Sequence, residues 1–154
     1  MKIAMKIVAD KNLKTIQCGS YASPRYFYLH DRLGSVRQII NSSGDVVNRY
    51  TYNPFGEMHA TETEENILNP FKYTGQYFDS ETNLYYFRAR MYDPHLSRFT
   101  NYDPVDGKFT EPLSLHKYLY CGNEPINWID PWGLVSVALY DGSDKGLYCS
   151  PLNN

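Results

Sequence analysis

Cysteine is scarce in this 154-residue chain: Cys18, Cys121 and Cys149 are odd in number and far apart, so neither a disulfide framework nor a Cys-x-x-Cys zinc site is expected. Ordinary free thiols are the reading. His30, His59, His95 and His116 are scattered, with no carboxylate or second histidine at ligand spacing, so no metal site is expected either. No apolar run is long enough to cross a bilayer, and Met1 to Val8 is broken by charge before it could form a signal-peptide core. The chain therefore reads as soluble, without membrane insertion and without an address. An excess of one charge is also missing. With 15 basic and 17 acidic residues the formal net charge is −2, which leaves no electrostatic footprint for nucleic acid or an anionic membrane. There is no glycine-rich phosphate loop, no Gly-x-Ser-x-Gly elbow and no Cys/His pair, so no cofactor is expected.

Aromatic residues are what the chain has in quantity: 15 tyrosines and 7 phenylalanines in a sequence that is 42% hydrophobic. They fall in short runs punctuated by Asx and glycine. Tyr26-Phe27-Tyr28 precedes Asp31-Arg32-Leu33-Gly34, and Tyr50-Thr51-Tyr52 runs into Asn53-Pro54-Phe55-Gly56. Tyr118-Leu119-Tyr120 and Ile126-Asn127-Trp128-Ile129 lead to Asp130-Pro131-Trp132-Gly133. The first two tyrosine pairs stand 24 residues apart, the mark of a repeat. Such aromatic and β-branched runs fit a half-buried pleated surface. In each punctuating turn an Asx side chain accepts from backbone two residues on, and glycine closes the turn.

Further hairpins are predicted at Gln38-Ile39-Ile40 and Asp45-Val46-Val47, around Asn41-Ser42-Ser43-Gly44, and at Gln76-Tyr77-Phe78 and Leu84 to Phe87, where Asn83 takes the left-handed place. The fold class expected is all-β, a string of antiparallel hairpins forming one domain or part of one. Glu62-Thr63-Glu64-Glu65 reads as a solvated loop.

The run from Tyr73 through Tyr85-Tyr86-Phe87-Arg88-Ala89-Arg90-Met91-Tyr92-Asp93-Pro94 to Ser97-Arg98-Phe99 and Asp103-Pro104 resembles the Rhs repeat-associated core of Rhs and tyrosine-aspartate (YD) repeat proteins. The likeness continues through Tyr118 to Asn127 and ends at Asp130-Pro131-Trp132-Gly133-Leu134. With Leu33 to Val36 and Tyr52 to Gly56 upstream, it covers residues 26–134. Residues 1–25 remain as an N-terminal strand or linker, and 135–154 as the truncated start of a variable C-terminal segment.

The resemblance implies a β-ribbon spiralling into a hollow shell, with this core near its end. Its partners would be the remainder of the shell and an enclosed C-terminal effector, often a toxin, in a parent protein that is secreted or delivered to a cell surface. Too few repeats are present to enclose a cargo alone, so the chain is expected to be the end of a longer protein. Val135 to Tyr140 with Asp141-Gly142 would open the variable segment.

The same resemblance implies a chemistry: self-cleavage after Leu134 by an aspartate dyad, Asp103 and Asp130. Two carboxylates close together cannot both ionise freely, so one keeps its proton and donates to the scissile carbonyl oxygen while the other activates water. In the ordinary alternative, an Asp before Pro is a turn residue satisfying backbone N–H groups, as Asp31, Asp79, Asp93 and Asp141 are expected to be. Asp103-Pro104-Val105-Asp106-Gly107 carries an extra residue before its glycine, and the 27 residues to Asp130 exceed the spacing of cleaving members. Asp106 as the true partner, or an inactive pair, follows from that departure. Arg98 is a candidate supporting cation, together with Arg88 and Arg90, which by alternation share a strand face and pair with Asp79, Glu81 or Asp93. A second class of function is carbohydrate or cell-surface binding by exposed aromatic rings. The exposure of Tyr50, Tyr52, Tyr118 and Tyr120 separates it from the shell reading.

Overall fold

The computed structural model describes residues 24–139 and the backbone of a two-residue strand at Ile3–Ala4. Cys18, Cys149 and Asp141 lie outside the described residues. Among the described residues all strand pairing is antiparallel. The first sheet comprises β1 (Ile3–Ala4), β2 (Tyr26–His30), β3 (Val36–Asn41), β4 (Val46–Arg49) and β5 (Glu64–Glu65), in that order. The second is β6 (Tyr77–Asp79), β7 (Leu84–Phe87), β8 (Arg90–Asp93) and β9 (Arg98–Phe99). A two-strand ribbon of β10 (Trp128–Ile129) and β11 (Val137–Ala138) follows.

The Asx turns form as local chemistry requires. Asp31 Oδ1 accepts from Leu33 and Ser35 N–H, Asn41 Oδ1 from Ser43 and Asp45, and Asn53 Oδ1 from Phe55 and Glu57, all within 3.0 Å. The glycine three places on has positive φ in each, +82° at Gly34, +91° at Gly44 and +91° at Gly56. At Gly56 a side chain is also excluded by space, because a Cβ would lie 2.5 Å from the Tyr73 ring. Asn83 takes the left-handed conformation expected of it, with φ +60°.

One face of the second sheet, with Tyr73, Tyr120 and Cys121, makes an aromatic core of Phe78, Tyr85, Phe87, Tyr92 and Phe99. The rings meet tilted or edge-on, as their quadrupoles favour, with Tyr92 and Tyr120 centroids 4.6 Å apart. Tyrosine rather than phenylalanine is used because the hydroxyls have work to do. Tyr73, Tyr92 and Tyr85 donate to the carbonyls of Pro54, Phe55 and Gly56 at 2.8, 2.8 and 3.0 Å, tying the core to the Asn53 turn. Burial pushes all three phenols above their ordinary range.

Three sequence expectations are corrected. Tyr118 to Tyr120 is not a strand. It makes a single bridge, Leu119 to Arg98, and passes into a 3-10 turn at Cys121–Asn123, because seating Tyr120 in the core turns the chain inward. Tyr50 to Tyr52 likewise is not a strand: a bridge joins Tyr52 to Met58, and Tyr50 N–H donates to the Arg37 carbonyl at 2.9 Å. The Glu62 to Glu65 stretch is not simply a solvated loop. β5 pairs with β4, and the Glu65 carboxylate accepts from Tyr50 Oη at 3.0 Å and pairs with the buried Lys72 ammonium at 2.8 Å.

Candidate functional site

The site is built from the β7–β8 turn upward. Phe87 and Arg90 face each other in register, so Arg88 and Ala89 are the two central turn residues, and Arg88 has φ +62°. Arg88 is exposed and off the strand, whereas Arg90 begins β8 on the core-facing side shared with Tyr92. The expected common face is therefore wrong, and so are the expected partners Asp79, Glu81 and Asp93. These last three sit apart: Asp79 and Asp93 accept from N–H groups of their own turns.

Arg90 brings the two predicted aspartates together. Its side chain is only 3% exposed, and its Nη1 lies 2.9 Å from Asp103 Oδ2 while Nη2 lies 3.5 Å from Asp130 Oδ2. Nε donates to the Gly133 carbonyl, and the guanidinium carbon lies 3.6 Å from the centre of the Phe99 ring. A buried cation needs such partners, since an unpaired one is strongly disfavoured. Burial lowers the Arg90 pKa, while Asp103 and Asp130 pull it back up.

Asp130 departs from the ordinary Asx turns. Its Oδ1 accepts not two but four backbone N–H groups, from Trp132, Gly133, Leu134 and Val135 at 3.3, 2.8, 3.0 and 3.2 Å. Its side chain is 2% exposed. Burial raises its pKa, and outweighs the lowering by those N–H donors and Arg90. Asp103 is 17% exposed and accepts from Val105 N–H at 2.8 Å. The Val135 N–H belongs to the Leu134–Val135 peptide bond, so that bond touches Asp130 directly. A cavity of about 350 Å³ is lined by Arg90, Asp103, Asp130, Leu134 and Val135, among others.

The long spacing between the aspartates is absorbed locally. The excursion from Pro104 to His116 closes at its base, where Asp103 N–H donates to the Lys117 carbonyl at 3.0 Å. Within it, Ser114 Oγ accepts from Lys108 N–H at 2.7 Å. Arg90 Nη1 donates to the same Lys117 carbonyl at 3.2 Å, so the extra residues leave Asp103 on Arg90.

The other candidates stand apart. Asp106 is fully exposed at the cavity rim, 3.7 Å from Lys117 Nζ. Arg98 is exposed and donates to His116 Nε2 at 3.0 Å, and neither aspartate is among its partners. Arg90 is the residue that sequence reasoning assigned to the wrong carboxylates, and Lys117, whose ammonium donates to the Val105 carbonyl at 2.6 Å, was not singled out. Cys121 lines the cavity as a buried free thiol, its pKa pushed up to about 12 by burial. Of the four diagnostic tyrosines, Tyr50 and Tyr120 are buried, Tyr52 is half-buried, and Tyr118 is exposed beside Tyr102.

The comparisons with known proteins agree with this architecture. The Teneurin YD-shell family model matches residues 5–126. Salivary gland surface protein 1 of Aedes aegypti is 40% identical over 125 residues, covering 79% of this chain and 3% of that protein. Double-stranded DNA deaminase toxin A of Burkholderia cenocepacia is 32% identical over 138 residues, 86% of this chain and 9% of the toxin. Among solved structures, the crystal structure of TcdB2-TccC3-Cdc42 superposes with a TM-score of 0.64 at 23% identity, over 79% of this chain and 6% of that one. The chain thus spans less than a tenth of the length of each. With the model match extending over most of its length and the all-β hairpin architecture in common, the chain belongs to the Rhs and YD-repeat shell family.

Proposed function

We propose that this segment closes a β-shell around a C-terminal effector and cuts itself after Leu134, using Asp103 and Asp130 held on Arg90. The observation that carries the reading is the pairing of both carboxylates with one buried guanidinium, together with the contact from Asp130 to the Val135 N–H. A turn residue needs neither. The effector is proposed to begin at Val135 and to be a toxin. That one relative is a DNA deaminase toxin by name supports it. The parent protein would be secreted or delivered to a cell surface.

The two carboxylates are differentiated by their surroundings. Asp103 makes the closer pair with Arg90 and is assigned the role of base. Asp130 has the looser contact with Arg90, burial raises its pKa, and it is assigned the role of acid. Asp103 takes a proton from water as the water oxygen bonds to the Leu134 carbonyl carbon. Asp130 gives its proton to the Leu134 carbonyl oxygen, which makes a tetrahedral diol; Asp103 then passes the proton it took to the Val135 nitrogen as the carbon–nitrogen bond breaks, and Asp130 takes a proton back from the diol, leaving a carboxyl at Leu134 and an amine at Val135.

Intact mass and N-terminal sequencing of the purified chain test the reading, beside Asp103→Asn and Asp130→Asn. A fragment beginning at Val135 that either substitution abolishes is the expected result. A folded wild-type chain that stays whole would reduce the aspartates to structural residues.

Carbohydrate or surface binding remains as a second reading because Tyr77 and Tyr86 face each other in register on the outer face of the second sheet, each about half exposed at 47% and 48%. Glycan-array binding that is lost in a Tyr77→Ala/Tyr86→Ala double variant would favour it.

A further inference from the structure

The cleavage reading leaves unexplained what holds the chain just before the scissile bond. Three consecutive carbonyls there are taken by three consecutive residues of the β7–β8 turn. The Pro131 carbonyl accepts from Arg88 Nη1, the Trp132 carbonyl from Ala89 N–H at 3.2 Å, and the Gly133 carbonyl from Arg90 Nε. On the opposite edge of the same segment, Asp130 gathers the N–H groups from Trp132 to Val135. Residues 131–133 are thus gripped along both edges. Gly133 makes the approach possible, since a Cβ there would lie 2.5 Å from the Phe87 carbonyl oxygen.

Arg88 is the member of this grip that backbone chemistry does not require. It sits at φ +62°, a conformation that glycine or asparagine adopts with less strain. Ala89 N–H would donate whatever the residue before it, and Arg90 is already required by the two aspartates. The Arg88 side chain spans Gln76 Oε1, at 3.1 Å, and the Pro131 carbonyl, while its guanidinium carbon lies 4.7 Å from the Trp132 ring centre. Gln76 is buried and reaches the same Pro131 carbonyl through Nε2 at 3.4 Å. A strained turn position occupied by a side chain whose described contacts are Gln76 and the segment before the scissile bond points to a role in placing that segment.

We propose that Arg88 is a positioning residue for cleavage of the Leu134–Val135 bond, anchoring the Pro131 carbonyl and the Trp132 ring so that the bond stays in register with Asp103 and Asp130. The inference rests on the cleavage reading above. Because the segment brings Asp130 with it, the substrate and half of the catalytic pair are placed by one grip. A loosened grip therefore slows the reaction and spreads the cut over neighbouring bonds, without changing which groups titrate.

The test follows the rate and position of cutting in the 154-residue chain by intact mass across a pH series, normalised to the folded fraction from circular dichroism. The variants are Arg88→Ala, Arg88→Lys and Trp132→Leu. Since small misplacements of reacting groups cost large factors in rate, Arg88→Ala is expected to cut about tenfold more slowly per folded molecule. Its pH midpoints should match the wild type, and minor products should end one residue before or after Leu134. Arg88→Lys should recover part of the rate. Trp132→Leu, at an exposed position that cannot unfold the core, should slow the cut in the same direction by a smaller factor. Wild-type rate and a single cut in folded Arg88→Ala would overturn the role of Arg88 alone. A folded wild-type chain that never cuts would overturn this inference and the cleavage reading together.

Discussion

Replacing Asp130 by alanine and by asparagine should have very different consequences for stability, and the difference can be worked from the four N–H groups that Oδ1 accepts. Alanine removes the acceptor from Trp132, Gly133, Leu134 and Val135 at once. A buried donor left unpaired costs about 1–3 kcal/mol. Gly133 is buried, whereas Trp132, Leu134 and Val135 have partial access to water, so their losses are smaller. The sum expected for Asp130→Ala is about 4 kcal/mol, at the upper end of what single substitutions do. Asparagine keeps an oxygen at the Oδ1 place and sets an NH₂ towards Arg90 Nη2, where the carboxyl Oδ2 stood 3.5 Å away, so that one contact is lost. Its cost should be about 1 kcal/mol, on the scale of a single hydrogen bond.

Urea unfolding at fixed pH measures both, with the slope checked for constancy. The pH dependence supplies a second arm with a definite sign. A carboxyl whose folded pKa is raised favours folding below its unfolded value, and that contribution is lost as pH rises through the folded value. Asp130→Asn should remove this decline. If alanine proves as mild as asparagine, the N–H cage is wrong; if asparagine leaves the pH dependence unchanged, the raised Asp130 pKa is wrong.

Arg90→Met should cost about 3–5 kcal/mol, as removal of one partner from a buried ion pair does; thermal unfolding at neutral pH checks it. Gly56→Ala should destabilise by about 2 kcal/mol or more, because it combines strain at φ +91° with a clash against the Tyr73 ring, and loss of near-ultraviolet circular dichroism from the aromatic core should accompany it. Cys121, buried and with its pKa pushed up to about 12, should react with a thiol reagent only as the fold opens, so mass-mapped labelling of that residue should track the unfolding transition.

The turns were legible in the sequence and the longer-range pairing was not. Asp31, Asn41 and Asn53 needed only their own backbone and a glycine three places on, information carried within five residues. Tyr118 to Tyr120 looked like strand because its residue types suit one, but Tyr120 answers to an aromatic core assembled from β7, β8 and β9, and no local pattern reports that. Asp103 and Asp130 were singled out through the family motif. Their convergence on Arg90 was missed because alternation was counted from Arg88 across what proved to be a turn. Counting from Tyr92 would have put Arg90 on the core face, and a cation there demands buried carboxylates. Glu65 was hidden in the same way inside an acidic stretch, with its partner Lys72 seven residues on.

The most direct test of the dyad is the titration of the Asp130 side-chain carboxyl carbon by NMR in the folded chain, compared with the same carbon in Arg90→Met. The account predicts that Asp130 keeps its proton to a pH above that of an ordinary aspartate, and holds it further still when Arg90 is removed. An Asp130 that ionises at or below the ordinary value would make it an N–H-capped turn carboxylate, with no proton to give to the Leu134 carbonyl oxygen.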